Sequence, residues 1–391
     1  MRVLYFSQDY SPHDHRFLSA LEETEHEVYY LRLEGNLRRV EDRPIPSQIR
    51  QVQWAGGSGN FHWRNVPRLT IDLMRVIREI KPSLIHAGPI QTCAFLSALT
   101  GFRPLLTMSW GFDLMQDAER NRWWRWITSY TLRHSTFFVS DARITHDRAI
   151  VYGMDPDCTA VFPWGVDLKQ FSPRYAVDDQ TPPDAQSKES PSKSAKSQRA
   201  PGPPFVLLCN RSWEPRYGVD ILAKAFVQVA QEREDVCLLL LGSGSQAHLI
   251  RQILMKGQVL DRVQFGGRIA QTELPRWYHM AHLYISPSHI DGSSVSLMEA
   301  LACGLPVLVS DIPANREWVT ENINGWLFTD GDACALANKI LAAMNWRKNL
   351  RDVSHAARKL AEERADWQRN FAVLLDVYNR SVEVNDRRRS G

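Results

Sequence analysis

The segment Ser286–Phe328 constrains the chain more than any other, because it reads as strand end, polar turn, helix and strand in immediate succession. An apolar run, His282-Leu283-Tyr284-Ile285, breaks into a glycine-bearing turn at Asp291-Gly292-Ser293-Ser294. Over Val295–Gly304 the residues Leu297, Met298 and Leu301 recur at helical spacing, Gly304 supplies a C-terminal stop, and Pro306 opens the next strand. The spacing therefore predicts a helix that starts near Ser294. Its free N–H groups carry partial positive charge and can seat a phosphate without a lysine, with the Ser294 and Ser296 hydroxyls as further donors. Two acids frame that seat, Asp291 in the turn and Glu299 within the helix. A carboxylate repels phosphate, so both suit hydroxyl groups at either end of a diphosphate ligand. The residues equally allow Glu299 to pair with a cation on an exposed face and Asp291 to be only a turn former.

The stretch resembles the donor-site signature of the retaining, GT-B-fold glycosyltransferases of family 4, the glycosyl transferases of group 1. That signature has two acids separated by seven residues, then A-x-A-C-G-x-P-V and a later N-G. Here it reads Asp291-x7-Glu299, Ala300-Leu301-Ala302-Cys303-Gly304-Leu305-Pro306-Val307 and Asn324-Gly325. The chain has Asp291 where the family usually has Glu. By the resemblance, Asp291 holds hydroxyls of the transferred sugar, Glu299 holds the ribose, and Gly292, Ser293, Ser294, Val295 and Ser296 line the donor.

Chain length bears on the same expectation. With 391 residues and 44% apolar content the chain can bury two cores of ordinary size. A formal charge of +3 argues against nucleic acid as a partner. Met1–Phe6 reads as a first strand that gives way to Ser7-Gln8-Asp9, so no signal peptide is expected, and no apolar run reaches membrane-spanning length. Cysteines 93, 158, 209, 237, 303 and 334 are scattered without CxxC spacing, which suits reduced thiols and a cytoplasmic location.

From the N-terminus, strand and helix signals alternate. A first strand runs to Ser7 and is followed by a loop, Tyr10–Arg16, and a helix with Phe17, Leu18 and Leu21 on its apolar face. Relatives have paired glycines in that loop; here His13, His15 and Arg16 stand on what would be the acceptor side. His13-x-His15 is also half of a possible metal site, though no ligand cluster accompanies it. Val66, Leu69, Leu73, Val76, Ile77 and Ile80 form a helical stripe. His86 ends a short strand, where an acceptor would lie in an open parallel sheet; a histidine satisfied by backbone is the alternative. Ser109-Trp110-Gly111-Phe112-Asp113 aligns with the family's H-G-x-D turn, with Trp110 in place of the histidine, and the resemblance carries over Gly111 and Asp113. The helix around Trp123-Trp124-Arg125-Trp126 is aromatic and basic, with Arg120, Arg122 and Arg133 nearby. It reads either as a helix packed on the sheet or as a peripheral membrane contact. Pro163–Pro173 resembles the family's G-V-D-x-x-x-F-x-P, which closes the first domain.

Residues 176–204 turn abruptly to Ser, Lys, Pro, Asp, Gln and Gly and are read as a disordered linker. Phe205–Cys209 restarts the alternation and leads to Asn210–Gly218, where relatives have G-R and then K-G. Arg211 matches the arginine, Tyr217 replaces the lysine, and Arg216 is the substitute cation. Gly242-Ser243-Gly244-Ser245-Gln246-Ala247 formally fits the dinucleotide fingerprint and is the basis for an alternative, NAD(P)-dependent reading. Arg268 and Ile269 lie where relatives contact the nucleotide base through main chain. His279 and His282 share a helix face without a third ligand, and Trp346–Tyr378 reads as helical.

The resemblance thus implies an α/β protein of GT-B architecture: Rossmann-like domains at 1–175 and 205–365 facing across a cleft, with residues 366–391 crossing back to the first. It implies transfer of a sugar, with retention, from a UDP-, GDP- or ADP-sugar to a hydroxyl of a glycan, lipid-linked or small-molecule acceptor. Such chemistry belongs to the synthesis of cell-surface polysaccharide, glycolipid or other glycoconjugates. Asp291, Asp113 and Arg211 are the expected catalytic residues; no metal or other cofactor is expected. A catalytically weak scaffold on the same fold is the alternative raised by the replaced residues.

Overall fold

The computed structural model describes residues 1–34, 41–174, 204–346 and 350–390. Two compact units emerge. Unit 1 comprises Met1–Trp164, Asp291–Ser293 and Gln368–Gly391; unit 2 comprises Gly165–Ile290 and Ser294–Trp367.

Unit 1 holds β1 (Arg2–Ser7), β2 (Glu27–Arg32), β3 (Arg50–Val52), β4 (Leu84–Ala87), β5 (Leu105–Met108), β6 (Phe137–Ser140) and β7 (Thr159–Val161). They form one sheet in the order β3-β2-β1-β4-β5-β6-β7, and every pair is parallel. Unit 2 holds β8 (Phe205–Cys209), β9 (Val236–Leu241), β10 (Val263–Gly267), β11 (Leu283–Ser286), β12 (Val307–Ser310) and β13 (Gly325–Phe328), ordered β10-β9-β8-β11-β12-β13. Central strands such as β4 and β12 are buried at every position, as a parallel sheet covered on both faces requires. In each sheet the order reverses beside the first strand, so the loops leaving β1 and β4, and those leaving β8 and β11, diverge at a switch point.

The helix Val66–Ile80 buries Leu69, Leu73, Val76 and Ile80 as its periodicity predicts. The C-terminal stretch read as helical holds two helices, Leu350–Arg364 and Trp367–Ser390. The break has a cause: Val166 N–H donates to the Ala365 carbonyl (2.8 Å) and Trp367 N–H to the Val166 carbonyl (3.1 Å), so these groups serve another segment. From Gln368 onward the last helix groups with unit 1. The boundary also differs from the expected residue 175. Gly165–Arg174 groups with unit 2, because Val166 and Phe171 are buried in its core beside Leu301 and Ala361. The linker assigned to 176–204 lies outside the described residues except for Pro204.

Candidate active site

In unit 2, β8 delivers Asn210 and Arg211 to the switch point, and β11 leads through Pro287–Ile290 toward the helix Val295–Ala302. Ser294 is that helix's N-cap, its hydroxyl accepting the Leu297 N–H. Arg211 Nη1 donates to Ser294 Oγ (2.6 Å) and to Ser296 Oγ (3.0 Å). Tyr284 OH donates to Ser296 Oγ at 2.8 Å, so the cluster is tied to the sheet. Tyr217, which stands where a lysine was expected, lies flat beneath this cation: the guanidinium carbon is 4.4 Å from its ring centroid. A guanidinium, two hydroxyls and a helix N-terminus thus converge on one spot, the donor set an anion needs. Arg216 lies in the short turn Pro215–Tyr217, and its carbonyl accepts the His289 N–H (2.9 Å), which fastens it to the loop after β11. Gly218 allows the approach: its φ is +59°, and a side chain there would strike the Pro287 carbonyl.

Glu299 is buried, so the exposed ion-pair alternative does not hold. Its carboxylate accepts from Gln271 Nε2 (2.7 Å) and from Tyr278 OH (2.8 Å). Asn210 Nδ2 in turn donates to Tyr278 OH (2.7 Å). The acid is held as an oriented acceptor, and burial followed by the nearby Glu299 charge pushes the Tyr278 phenol well above its usual range. Gln271, Tyr278 and Asn210 were not singled out from sequence; only their positions just after β10, after that loop, and after β8 could have flagged them. Arg268 is exposed and Ile269 half-buried between β10 and Gln271.

The Gly242–Ala247 loop is not open to a dinucleotide. Gly242 N–H donates to the Gly267 carbonyl (2.6 Å), Ser245 N–H to Glu214 Oε1 (2.9 Å) and Gln246 N–H to the Trp213 carbonyl (2.9 Å). A β-carbon at Gly244 would lie 2.5 Å from Trp213 main chain. Three amides of the loop are thus spent on the protein's own chain, which counts against the NAD(P) reading.

In unit 1, β5 delivers Ser109–Asp113. Asp113 is fully buried; Oδ1 accepts from Ser109 Oγ (2.6 Å) and Leu114 N–H (2.9 Å), Oδ2 from Trp110 N–H (3.2 Å) and Ile90 N–H (3.3 Å). Burial raises its pKa to about 6 against these hydrogen bonds. With both oxygens engaged, Asp113 shapes the turn and does not present a catalytic carboxylate. Gly111, at φ +82°, packs on Gly292: a β-carbon at 111 would lie 3.0 Å from the Gly292 nitrogen. The segment Asp291–Ser293 is fixed here by Asp141, just beyond β6. Asp141 Oδ2 accepts the Ser293 N–H (2.8 Å), and its carbonyl accepts the Ser293 hydroxyl (2.5 Å). Asp141 was not anticipated, since a lone acid after a strand carries no signal.

Two family profiles match this chain. The one described as "Glycosyl transferases group 1" matches residues 191–360, and "Glycosyl transferase 4-like" matches residues 2–142. The chain belongs to this glycosyltransferase family. A D-inositol 3-phosphate glycosyltransferase of Xylanimonas cellulosilytica is 29% identical over 244 residues, covering 61% of this chain and 55% of that protein. A phosphatidyl-myo-inositol mannosyltransferase of Mycobacterium leprae is 32% identical over 175 residues, 44% of this chain and 46% of its own. The chain thus spans about half the length of the curated relatives it matches. Among solved structures, sucrose-phosphate synthase from Thermosynechococcus elongatus superposes with a TM-score of 0.76 at 17% identity, covering 97% of this chain and 99% of that one. Anabaena HepE in complex with UDP and glucose gives 0.74 at 17% identity over 97% and 99% of the two chains. At such identities the likeness is one of fold, and the fold is GT-B.

Two expectations for this family member change on the acceptor side. The presumed loop Tyr10–Arg16 is helical from Pro12, because Ser11 and Asp14 form a reciprocal capping box. His13, His15 and Arg16 therefore sit on the first turns of a helix. The His13 ring is 5.5 Å from the Trp110 ring, whereas His15 Nδ1 is paired with Tyr10 OH (2.8 Å), and burial, then Arg43, lowers its pKa. Among the described residues no group of three or more His, Cys, Asp or Glu gathers as a metal site. His86 is buried, not displayed: it packs on Tyr5 and Phe17, its Nδ1 meets Tyr378 OH (2.7 Å), and burial lowers its pKa to about 3. Finally, the helix Arg122–His134 buries Ile127, Thr128, Thr131 and Leu132 but leaves Trp123 54% and Trp126 48% exposed, their rings stacked at 5.0 Å. No helix among the described residues is long and apolar enough to cross a membrane.

Proposed function

We propose that this glycosyltransferase-family protein transfers a sugar from a nucleoside-diphosphate sugar to an acceptor hydroxyl with retention of configuration. The observation that carries the reading is the convergence of Arg211 with Ser294 and Ser296 at the start of the helix Val295–Ala302. Breaking the donor separates a diphosphate from an oxocarbenium-like carbon, and charge grows on the leaving oxygen. Preorganised donors aimed at that oxygen are the largest single contribution such a site can make. Arg211 and the helix N-terminus supply them, and Arg216 adds a cation on the adjacent turn. The reading calls on no metal or other cofactor.

Glu299, already oriented by Gln271 and Tyr278, accepts from the ribose of the donor. Asp291, only three residues before Ser294 along the chain, accepts from the transferred sugar. Arg268 and Ile269 offer main chain to the base. Trp110, Gly111 and His13 form the acceptor side, with His15 and Arg16 on the same helix. The relatives named for inositol phosphate and phosphatidyl-inositol substrates support a polyol or glycolipid acceptor. Neighbours crystallised with UDP and UDP-glucose make uridine the first base to test. Action at the cytoplasmic face of a membrane, with the Trp123 and Trp126 pair as contact, fits such an acceptor.

The test is a binding screen of UDP-, GDP- and ADP-sugars followed by mass spectrometry of products, with Arg211→Ala as control. One nucleotide sugar should bind and yield a glycosylated product whose anomeric configuration matches the donor. Nucleotide binding without any product across acceptors would favour the inactive scaffold, and inverted product would remove retention.

A further inference from the structure

Unit 1 has a pocket that the proposed function leaves unused. It measures about 370 Å³ and is lined by Tyr30, Arg32, Gln51, Gln53, Trp54 and Ser58, beside the carboxyl ends of β2 and β3. Tyr30 and Arg32 lie two residues apart on β2 and so share a face of the sheet, with Gln51 directly opposite Tyr30 in register. Arg32 is the unusual member. Its Nε and Nη2 are buried and meet no hydrogen-bond partner among the described residues. Buried donors of a permanent cation are rarely left unmade, and where they are, a ligand or water completes them.

Among the described residues no acid is shown in contact with this guanidinium. Arg32 acts on Asp9, Tyr10 and Tyr30 only through its field, and burial, then Glu34, holds the Asp9 carboxyl above its usual range. Glu34 is committed elsewhere, accepting from Gln8 Nε2 (3.2 Å) and Phe61 N–H (2.8 Å). Trp54 forms an aromatic wall whose ring is fixed by Nε1 donating to the Arg32 carbonyl (2.7 Å). Gln51 and Gln53 are exposed amides at the rim. An aromatic face, two amides and an unpartnered guanidinium together match a hydroxylated molecule bearing one anionic group.

We propose that this pocket is an anion-recognising subsite in which Arg32 holds the phosphate or carboxylate of a sugar or polyol. It rests on the transferase reading only in taking that molecule to be the acceptor. The test is calorimetric titration of the full chain, without donor, using glucose, glucose 6-phosphate and glucuronate, with UDP titrated in parallel. At least one charged probe should bind about tenfold or more tightly than glucose, and which one does so identifies the anion. Arg32→Gln should erase that margin, and Arg32→Lys should keep part of it. Should the Arg32 variants not fold, Gln53→Glu places a repelling carboxylate on an exposed side chain at the rim and should cut the margin by about tenfold. Equal binding of charged and neutral probes by the wild type overturns the subsite, as does a margin that survives both Arg32→Gln and Gln53→Glu. Absence of binding by UDP and, titrated the same way, by GDP and ADP, with the margin intact, would sink the transferase reading and leave the subsite standing.

Discussion

The Asp141 carboxylate occupies the volume that any side chain on residue 292 would need: a β-carbon at Gly292 would lie 2.5 Å from Oδ2 and 2.6 Å from Oδ1. An acid at the end of β6 therefore dictates the glycine in the signature turn, and its hydrogen bonds to Ser293 set the conformation of the Asp291 segment. Gly292→Ala must displace one or the other, at about 1–3 kcal/mol by analogy with overpacked cores. Transfer should fall at least about tenfold while UDP binding persists, because Arg211, Ser294 and Ser296 are untouched. Adding Asp141→Ala to Gly292→Ala should recover part of the loss. A double-mutant cycle on transfer rate and thermal unfolding checks this; additive losses would contradict it.

Asp141 also gives unit 1 a definite pH dependence. Burial first, then repulsion from Asp291 and Asp113, raises its pKa from 3.8 to about 7 despite the hydrogen bond from Ser293. The folded chain thus keeps a proton that the unfolded chain releases above about pH 4, so this group's contribution is intact below that pH. It is lost as pH rises toward about 7. Asp14 and Asp113, both raised to about 6 by burial, tilt stability the same way. Asp141→Asn removes the proton exchange, so the variant should gain on the wild type between pH 4.5 and 7.5 by roughly 3 kcal/mol. Denaturant melts at three pH values measure it, and a constant difference would refute it.

Arg211→Ala should weaken nucleoside-diphosphate binding by about tenfold to a hundredfold, the range for hydrogen bonds to a charged group. Arg211→Lys should recover little, because an ammonium cannot reproduce a planar group that bonds Ser294 and Ser296 while lying on Tyr217. Titration with UDP distinguishes the outcomes; full rescue by lysine would mean charge alone matters.

His86 should be silent in catalysis. Its burial keeps it neutral, with a pKa of about 3, and its Nδ1 is paired with Tyr378 OH. His86→Phe should cost about 1–3 kcal/mol by stranding that hydroxyl, and Tyr378→Phe in the same chain should restore most of it. The pH–rate profile should not move; a displaced limb would return His86 to the chemistry.

Trp123→Ala with Trp126→Ala should reduce flotation with anionic liposomes without altering UDP affinity, since both rings are about half exposed and the buried face of their helix is carried by Ile127 and Leu132. Wild-type protein that fails to float with anionic lipid would end the membrane reading.

The sequence by itself determined the local grammar: apolar runs for buried parallel strands, Ser294 as the cap of a helix after a polar turn, Arg211 after β8, and a signature specific enough to identify the family. Those properties depend on neighbours within a few residues, where periodicity and turn chemistry act. Only the tertiary structure decided which side chains are used up. It buried His86 against Tyr378, saturated Asp113 with four donors, filled the Gly242 loop with Trp213 and Glu214, and brought Asp141 to Gly292 and Gln271 to Glu299. Burial and hydrogen-bond partnership arise between segments remote in the chain, and they fix whether a polar residue remains available to a ligand.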